Sequence, residues 1–168
     1  MEKILAPIDG SEKSDESLEM ALELAESTGS EVEILHVLEP IYVSTPVYPT
    51  SYVRPMKPYP GTYVTPGEPT KTYETPKWYS GVYTGRKKAG ENILEEAAQN
   101  ARKKHPDVEI SKKLAEGEPD DEIVNEAKKH GFDLIVMAGN GLGLKEMLLG
   151  STTTAVARKS DTPVLVYK

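Results

Sequence analysis

The segment 134–152, LIVMAGNGLGLKEMLLGST, decides how the rest of this chain is interpreted. Its first five residues are apolar and typical of a buried strand, and they lead directly into the glycine-rich stretch 139–143. A second turn at Gly150 begins a helix with Ser151 and Thr152. Because a glycine-rich loop exposes backbone N–H groups and a helix start carries partial positive charge, this order favours a site for phosphate.

Outward from this segment, apolar runs and helical patterns alternate along the chain. Strands are predicted at residues 3–8, 31–38, 108–114, 134–138 and 164–167. Helices are predicted at residues 14–27, 91–104, 117–130 and 151–159. Strands that alternate with helices predict an α/β fold, a parallel sheet with helices on both faces. The alternation within 108–114 is imperfect, which favours an edge position for that strand.

Residues 40–85 interrupt this alternation. They hold nine of the 13 prolines, eight of the nine tyrosines and the only tryptophan, Trp78, with six charged residues and no helical period. We expect no regular helix and no central strand at such proline density. The aromatic area argues against a purely solvated linker. We therefore predict one domain, 1–168, with 40–85 an inserted arm or lid that folds over its own domain or onto a neighbouring subunit.

Length, charge and composition exclude several classes of protein. A chain of 168 residues fits one domain, and the absence of cysteine excludes disulfides, a thiolate nucleophile and cysteine-based metal sites. The net charge of −7 argues against a nucleic-acid partner. The first residues lack the apolar stretch of a secretory signal, and no apolar run approaches the ~18–20 residues of a membrane span. We expect a cytoplasmic protein with no membrane partner.

Asp9 and the glycine loop are the candidate binding elements. The loop matches neither the phosphate-binding G-x-x-x-x-G-K-[ST] pattern nor the dinucleotide G-x-G-x-x-G pattern, so a plain flexible turn remains open. Asp9 follows the first strand, and strand ends at a reversal of strand order form the ligand crevice of such sheets. Its carboxylate either accepts from an adenine amino group or ribose hydroxyl, helps to hold a metal, or caps the first helix.

Catalysis has little support in the sequence. There is no H-E-x-x-H, no G-x-S-x-G and no visible pair of nucleophile and base. His36, His105 and His130 are scattered, and each is interpreted as a packing or capping residue. We expect no catalytic residue and at most a slow ATPase, since no positioned base or arginine finger is evident.

The chain resembles the universal stress protein family over nearly its whole length outside the insertion. The stretches that carry the resemblance are ILAPIDGS at 4–11, LHV at 35–37, GEP at 117–119, DLIVM at 133–137, LKEMLLGS at 144–151 and TPVLV at 162–166. The resemblance implies an open five-stranded parallel sheet of order 3-2-1-4-5, of the nucleotide-binding α-hydrolase-like type. It also implies a homodimer through the last strand, 163–167, which would form an uncovered sheet edge.

One branch of that family binds ATP through G-x-x-G, nine residues and G-[ST]. The resemblance places Asp9 and Val37 at adenine, Gly139 and Gly141 at ribose and phosphate, and the start of the last helix at the phosphates. It also implies Mg²⁺ or Mn²⁺ as candidate metals. The full set of implied binding residues is Pro7, Ile8, Asp9, Val37, Met137, Gly139, Gly141, Gly150, Ser151 and Thr152.

The sequence departs from that motif at two points. Ala138 stands where the first glycine is expected, and only eight residues, 142–149, separate Gly141 from Gly150. Alanine costs little there if φ is negative and much if φ is positive. Two hypotheses follow: an ATP-binding module of the stress response or signalling, and an assembly module without nucleotide that works through the 40–85 arm.

Overall fold

The computed structural model describes residues 1–40, 62–63, 71–72, 77–139 and 149–168. The strands are β1 (Lys3–Pro7), β2 (Glu31–Leu38), β3 (Thr62–Tyr63), β4 (Lys71–Thr72), β5 (Ile110–Glu116), β6 (Leu134–Ala138) and β7 (Val164–Tyr167). The helices are α1 (Glu12–Thr28), α2 (Lys77–Lys104), α3 (Pro119–His130) and α4 (Ser151–Lys159).

Five parallel strands form the main sheet in the order β5-β2-β1-β6-β7. Without the short antiparallel pair β3–β4, this is the predicted order 3-2-1-4-5, which is confirmed. Strand β5 lies at one edge, as its imperfect apolar pattern predicted, and β7 lies at the other. The chain builds outward from β1 in both directions, so the order reverses between β1 and β6.

The core has two halves, one on each face of the sheet. Ile4 and Leu5 are both fully buried, and they belong to different halves because neighbouring strand residues point to opposite faces. Helices α1 and α2 cover the face of Ile4, where Leu22 is also fully buried. Helices α3 and α4 cover the face of Leu5, where Val156 is fully buried. Helices on both faces are therefore confirmed.

The prediction that 40–85 contains no regular helix is wrong at its end, because α2 begins at Lys77 and not near residue 91. The last proline of the segment is Pro76, so no ring interrupts the chain after it. Gly81 and Gly85 weaken the helical pattern in the sequence. In the structure a Cβ at either position would meet no atom within 4 Å, so the helix does not require glycine there. The remainder of the predicted arm, apart from β3 and β4, lies outside the described residues.

Other boundaries differ by only one or two residues. The third predicted strand, 108–114, is observed as β5 at Ile110–Glu116, and α1 extends the predicted 14–27 to Glu12–Thr28. None of the described helices combines the length and the apolar character that crossing a bilayer requires.

Candidate nucleotide-binding site

A cavity of about 340 Å³ lies at the carboxyl edge of the sheet, where the strand order reverses. The ends of β1, β2 and β6 form its floor, and the first turns of α3 and α4 form its walls. Its described lining is Pro7, Ile8, Asp9, Ser14, Leu35, His36, Val37, Glu39, Pro119, Ile123, Met137, Ala138, Gly150, Ser151, Thr152 and Thr153. This is the crevice in which open α/β sheets bind their ligands.

Eight of the ten residues that the sequence singled out line this cavity. They are Pro7, Ile8, Asp9, Val37, Met137, Gly150, Ser151 and Thr152. Gly139 lies beside the cavity instead: its N–H donates to the Tyr167 carbonyl over 2.6 Å, and a Cβ there would be 3.1 Å from that oxygen. Gly141 lies outside the described residues. Contact of these two glycines with a ligand stays a prediction.

Asp9 does not cap the first helix. The N-cap of α1 is Ser11, whose Oγ accepts from the Ser14 N–H over 3.2 Å. The Asp9 Oδ1 accepts from the Ser11 N–H over 2.9 Å, and Gly10 between them adopts a φ of +80°. Since this turn uses one carboxylate oxygen of an exposed side chain, Asp9 has acceptor capacity left to offer a ligand.

The start of α4 is tied firmly to the end of β6. The Gly150 N–H donates to the Gly139 carbonyl over 2.7 Å, and the Thr153 hydroxyl donates to the Ala138 carbonyl over 2.8 Å. The first bond within the helix is from the Thr154 N–H to the Gly150 carbonyl, at 2.9 Å. The N–H groups of the first turn before Thr154 have no partner inside the helix, which suits them to an external acceptor.

The three helices that begin around the cavity differ in how their starts are neutralised. Helix α1 has the Ser11 cap and two acidic residues in its first turn, and α3 has Asp120, Asp121 and Glu122. Helix α4 has Gly150 as its N-cap, no side-chain cap and no acidic residue in its first turn. Among the three helices, only α4 has a start that its own N-cap and first turn leave uncompensated, and this favours an anion at α4.

The neighbouring carboxyl groups reinforce this asymmetry. The Lys159 ammonium hydrogen-bonds Asp120 and so lowers the pKa of that carboxyl, which keeps it charged at the start of α3. Burial, together with the carboxylates of Glu96 and Asp9, raises the pKa of Asp15 in the first turn of α1. Carboxyl groups therefore lie at the starts of α1 and α3, whereas the first turn of α4 contains none.

Ala138 is compatible with the site. It is the last residue of β6 and pairs with Tyr167 of β7, so its backbone is extended and its φ is negative. An alanine in that conformation carries no left-handed strain. The first departure from the family motif therefore costs nothing in the backbone, and the shortened loop that follows lies outside the described residues.

Sequence reasoning missed several lining residues, notably Ser14, His36, Glu39 and Thr153. Thr153 is 3% exposed, which no local pattern in the run of threonines indicated. His36 adjoins the predicted Val37, and its Nδ1 lies 2.9 Å from the Ile8 carbonyl. Within the described parts of the chain, no three His, Cys, Asp or Glu side chains come close enough to hold a metal ion.

Comparison with known proteins agrees with this fold. The model of the universal stress protein family matches residues 1–57 and 62–168. Universal stress protein YxiE of Bacillus subtilis is 35% identical over 167 residues, which cover 99% of this chain and 98% of that protein.

Solved structures of similar fold cover almost the whole chain. Universal stress protein UspA from Lactobacillus plantarum has a TM-score of 0.70 at 19% identity, covering 99% of this chain and 97% of that one. An Archaeoglobus fulgidus universal stress protein in complex with dAMP has a TM-score of 0.60 at 20% identity, with 100% and 98% covered. A universal stress protein in complex with cAMP has a TM-score of 0.60 at 22% identity, with 99% and 95% covered. The chain belongs to the universal stress protein family.

Proposed function

We propose that this chain binds an adenine nucleotide, ATP, in the cavity at the carboxyl edge, and that occupancy is the signal of a stress-response module. The observation that carries the proposal is the uncompensated start of α4, which shares one cavity with the Asp9 carboxylate. The complexes of similar proteins with dAMP and cAMP support an adenine nucleotide as the ligand class.

Each end of the cavity suits a different part of such a ligand. The Asp9 carboxylate only accepts hydrogen bonds when ionised, so it matches the amino group of adenine, with Val37 and Met137 as apolar neighbours of the ring. The N–H groups and hydroxyls of Ser151 and Thr152 only need an anionic acceptor, which a phosphate provides. The proposal requires binding alone, and no residue is given a catalytic role.

The experiment is mass spectrometry of nucleotide released from freshly purified protein, followed by calorimetric titration with ATP, AMP and adenosine. We expect ATP and AMP to bind and adenosine to bind more weakly, since it lacks the group that α4 would hold. Titrations with and without Mg²⁺ separate a metal requirement from nucleotide binding itself. A protein that is purified empty and ignores all three compounds would overturn the proposal.

The exposed edge of the sheet favours a second candidate function, cytoplasmic homo-oligomeric assembly. Strand β7 is an edge strand whose four residues are all half-buried. No described strand pairs with its outer side, which offers backbone groups for pairing with another chain. We expect a dimer through 163–167, with the 40–85 arm as a further contact. Sedimentation of the full chain and of a variant lacking residues 41–61 tests this role, because an unchanged subunit number would exclude that part of the arm from assembly.

A further inference from the structure

The buried carbonyl of Ile8 has an unusual partner. Strand β1 ends at Pro7, and the Ile8 N–H still donates to the Leu35 carbonyl over 2.8 Å. Ile8 as a residue is only 5% exposed, so its backbone carbonyl also requires a hydrogen-bond partner within the protein. That partner is His36 Nδ1, at 2.9 Å. Because a carbonyl can only accept, His36 must carry its proton on Nδ1.

Helix α2 holds the same imidazole from the opposite side. A Cβ added to Gly90 would lie 3.0 Å from His36 Cδ2, 2.9 Å from Leu38 Cδ2 and 3.1 Å from Leu114 Cδ1. The helix backbone therefore approaches the ring as closely as a glycine permits. This contact leaves the ring little room to rotate away from Ile8.

The segment that His36 holds is the one that presents Asp9 to the cavity. Ile8, Asp9 and His36 all line it, and Asp9 is the residue directly after the bonded carbonyl. Helix α2 also touches this segment directly, since a Cβ at Gly10 would lie 3.2 Å from Ile93 Cδ1. One helix thus contacts the adenine-facing segment at Gly10 and, through His36, at Ile8.

We propose that His36 is a positioning residue for the binding site: its Nδ1–H bond to the Ile8 carbonyl, held in place by Gly90 of α2, sets the position of Asp9. His36 acts through Ile8 and needs no contact with the ligand itself. This inference rests on the proposed function, in which Asp9 meets the adenine. It also means that a displacement of α2 would reach the site both through this imidazole ring and through the contact of Ile93 with Gly10.

The test is a matched pair of amides, His36→Asn and His36→Gln, titrated with ATP by calorimetry. The Asn amide nitrogen occupies the δ position, as Nδ1 does, whereas the Gln nitrogen lies one bond further out. We expect His36→Asn to bind within about threefold of the wild type and His36→Gln to bind about tenfold more weakly. Gly90→Ala, which keeps the imidazole but crowds it, should resemble His36→Gln. Equal affinities of the two amide variants would overturn the inference.

A second readout needs no nucleotide and so separates this inference from the proposed function. Nitrogen NMR of the His36 ring should show the Nδ1–H tautomer, and the Asp9 and Gly10 amide resonances should move in His36→Gln but stay near the wild type in His36→Asn. If the wild type binds no adenine nucleotide, the proposed function fails and these spectra alone decide the positioning role. An Nε2–H tautomer would overturn it, whatever the titrations show.

Discussion

The two ends of the sheet both carry a hollow, and the proposed nucleotide site is the smaller of the two. At the amino edge a depression of about 710 Å³ is lined by Ala25, Gly29, Ser30, Lys3 and the five acidic residues Glu2, Glu26, Glu31, Asp107 and Glu109. At the carboxyl edge the cavity of about 340 Å³ combines apolar strand ends with the uncompensated start of α4. The proposed site is therefore distinguished by its chemistry and not by its volume.

The polar groups at the amino edge form hydrogen bonds within the protein. The Asp133 carboxylate accepts from the N–H groups of Glu2 and Lys3, at 2.6 and 3.1 Å, and these bonds lower its pKa. Helices α1 and α3 end in left-handed glycines, and basic residues in the last turns of α2, α3 and α4 match the negative helix ends. At this edge the described carboxylates, glycines and basic residues complement the chain ends and helix ends, whereas at the other edge the first N–H groups of α4 have no partner inside the helix.

The largest expected change in ATP affinity comes from giving α4 the acidic first turn that α3 already has. Ser151→Asp places a carboxylate where the phosphate is proposed, and we expect ATP affinity to fall by about tenfold to a hundredfold. The isosteric, neutral Ser151→Asn is the control and should lose much less. Calorimetry gives the affinities, and thermal unfolding without nucleotide should show Ser151→Asp to be no less stable. An equal loss in both variants would mean that size, not charge, governs this position.

The next prediction is a pH-dependent change in the free energy of unfolding that leaves ATP affinity unchanged. Burial, together with the nearby Glu126 carboxylate, raises the pKa of Glu33 to about 7 from an ordinary 4.5. As pH rises between those values, the unfolded chain releases a proton that the folded chain still holds, so stability falls. After discounting for partial exposure, Glu33→Gln should be about 1–2 kcal/mol more stable than the wild type at pH 8 and equal to it at pH 4.

The control for that change is Glu31→Gln, which alters a half-exposed carboxylate paired with Lys3 at 2.8 Å. Chemical unfolding at the two pH values measures both variants. ATP affinity should be unchanged in both, because neither residue lines the cavity. A Glu33→Gln variant with no gain at pH 8 would show that the Lys113 ammonium, 2.6 Å from Glu126, already neutralises the pair.

A smaller effect tests whether the amino edge is purely structural. Gly131 ends α3 with a φ of +67°, so Gly131→Ala should cost about 1 kcal/mol of unfolding free energy. Gly85 lies within α2 in open space, and Gly85→Ala should stabilise the protein by about 0.5–1 kcal/mol. Denaturant unfolding measures both. Neither change should alter ATP affinity, and a loss of binding in Gly131→Ala would contradict the separation of the two ends.

The smallest effect is the pH dependence of one histidine near the amino edge. Burial alone would lower the pKa of His105, but the carboxylates of Glu26 and Glu19, at 2.8 and 3.1 Å, outweigh burial and raise it. The resulting stability is present below the ordinary pKa of 6.5 and is lost as pH rises through the raised value. His105→Gln should remove this component. Melting temperatures from pH 6 to pH 9 compare the two proteins, and parallel curves would refute the role.

Local pattern was sufficient where an element depends on its own residues. The predicted strands 134–138 and 164–167 and the helix 151–159 match β6, β7 and α4 residue for residue. Each is a short run bounded by glycine, proline or a capping residue, so the signal is local. Helix α2 was shortened in the prediction because Gly81, Gly85 and Gly90 all weaken the helical pattern. Of these three, only Gly90 has close neighbours that a Cβ would meet, the side chains of Leu38, His36 and Leu114.

The sequence by itself determined the alternation of strands and helices, the family motif and most of the residues that gather at the carboxyl edge. Tertiary structure alone decided which of those residues have hydrogen-bonding groups available to a ligand. Helix capping was one interpretation of Asp9 until Ser11 proved to be the cap, and Ala138 had two interpretations until its extended backbone was known. His36 gained its role only beside Ile8 and Gly90. Motifs are read along the chain, whereas hydrogen-bond partners and backbone conformation depend on neighbours distant in sequence.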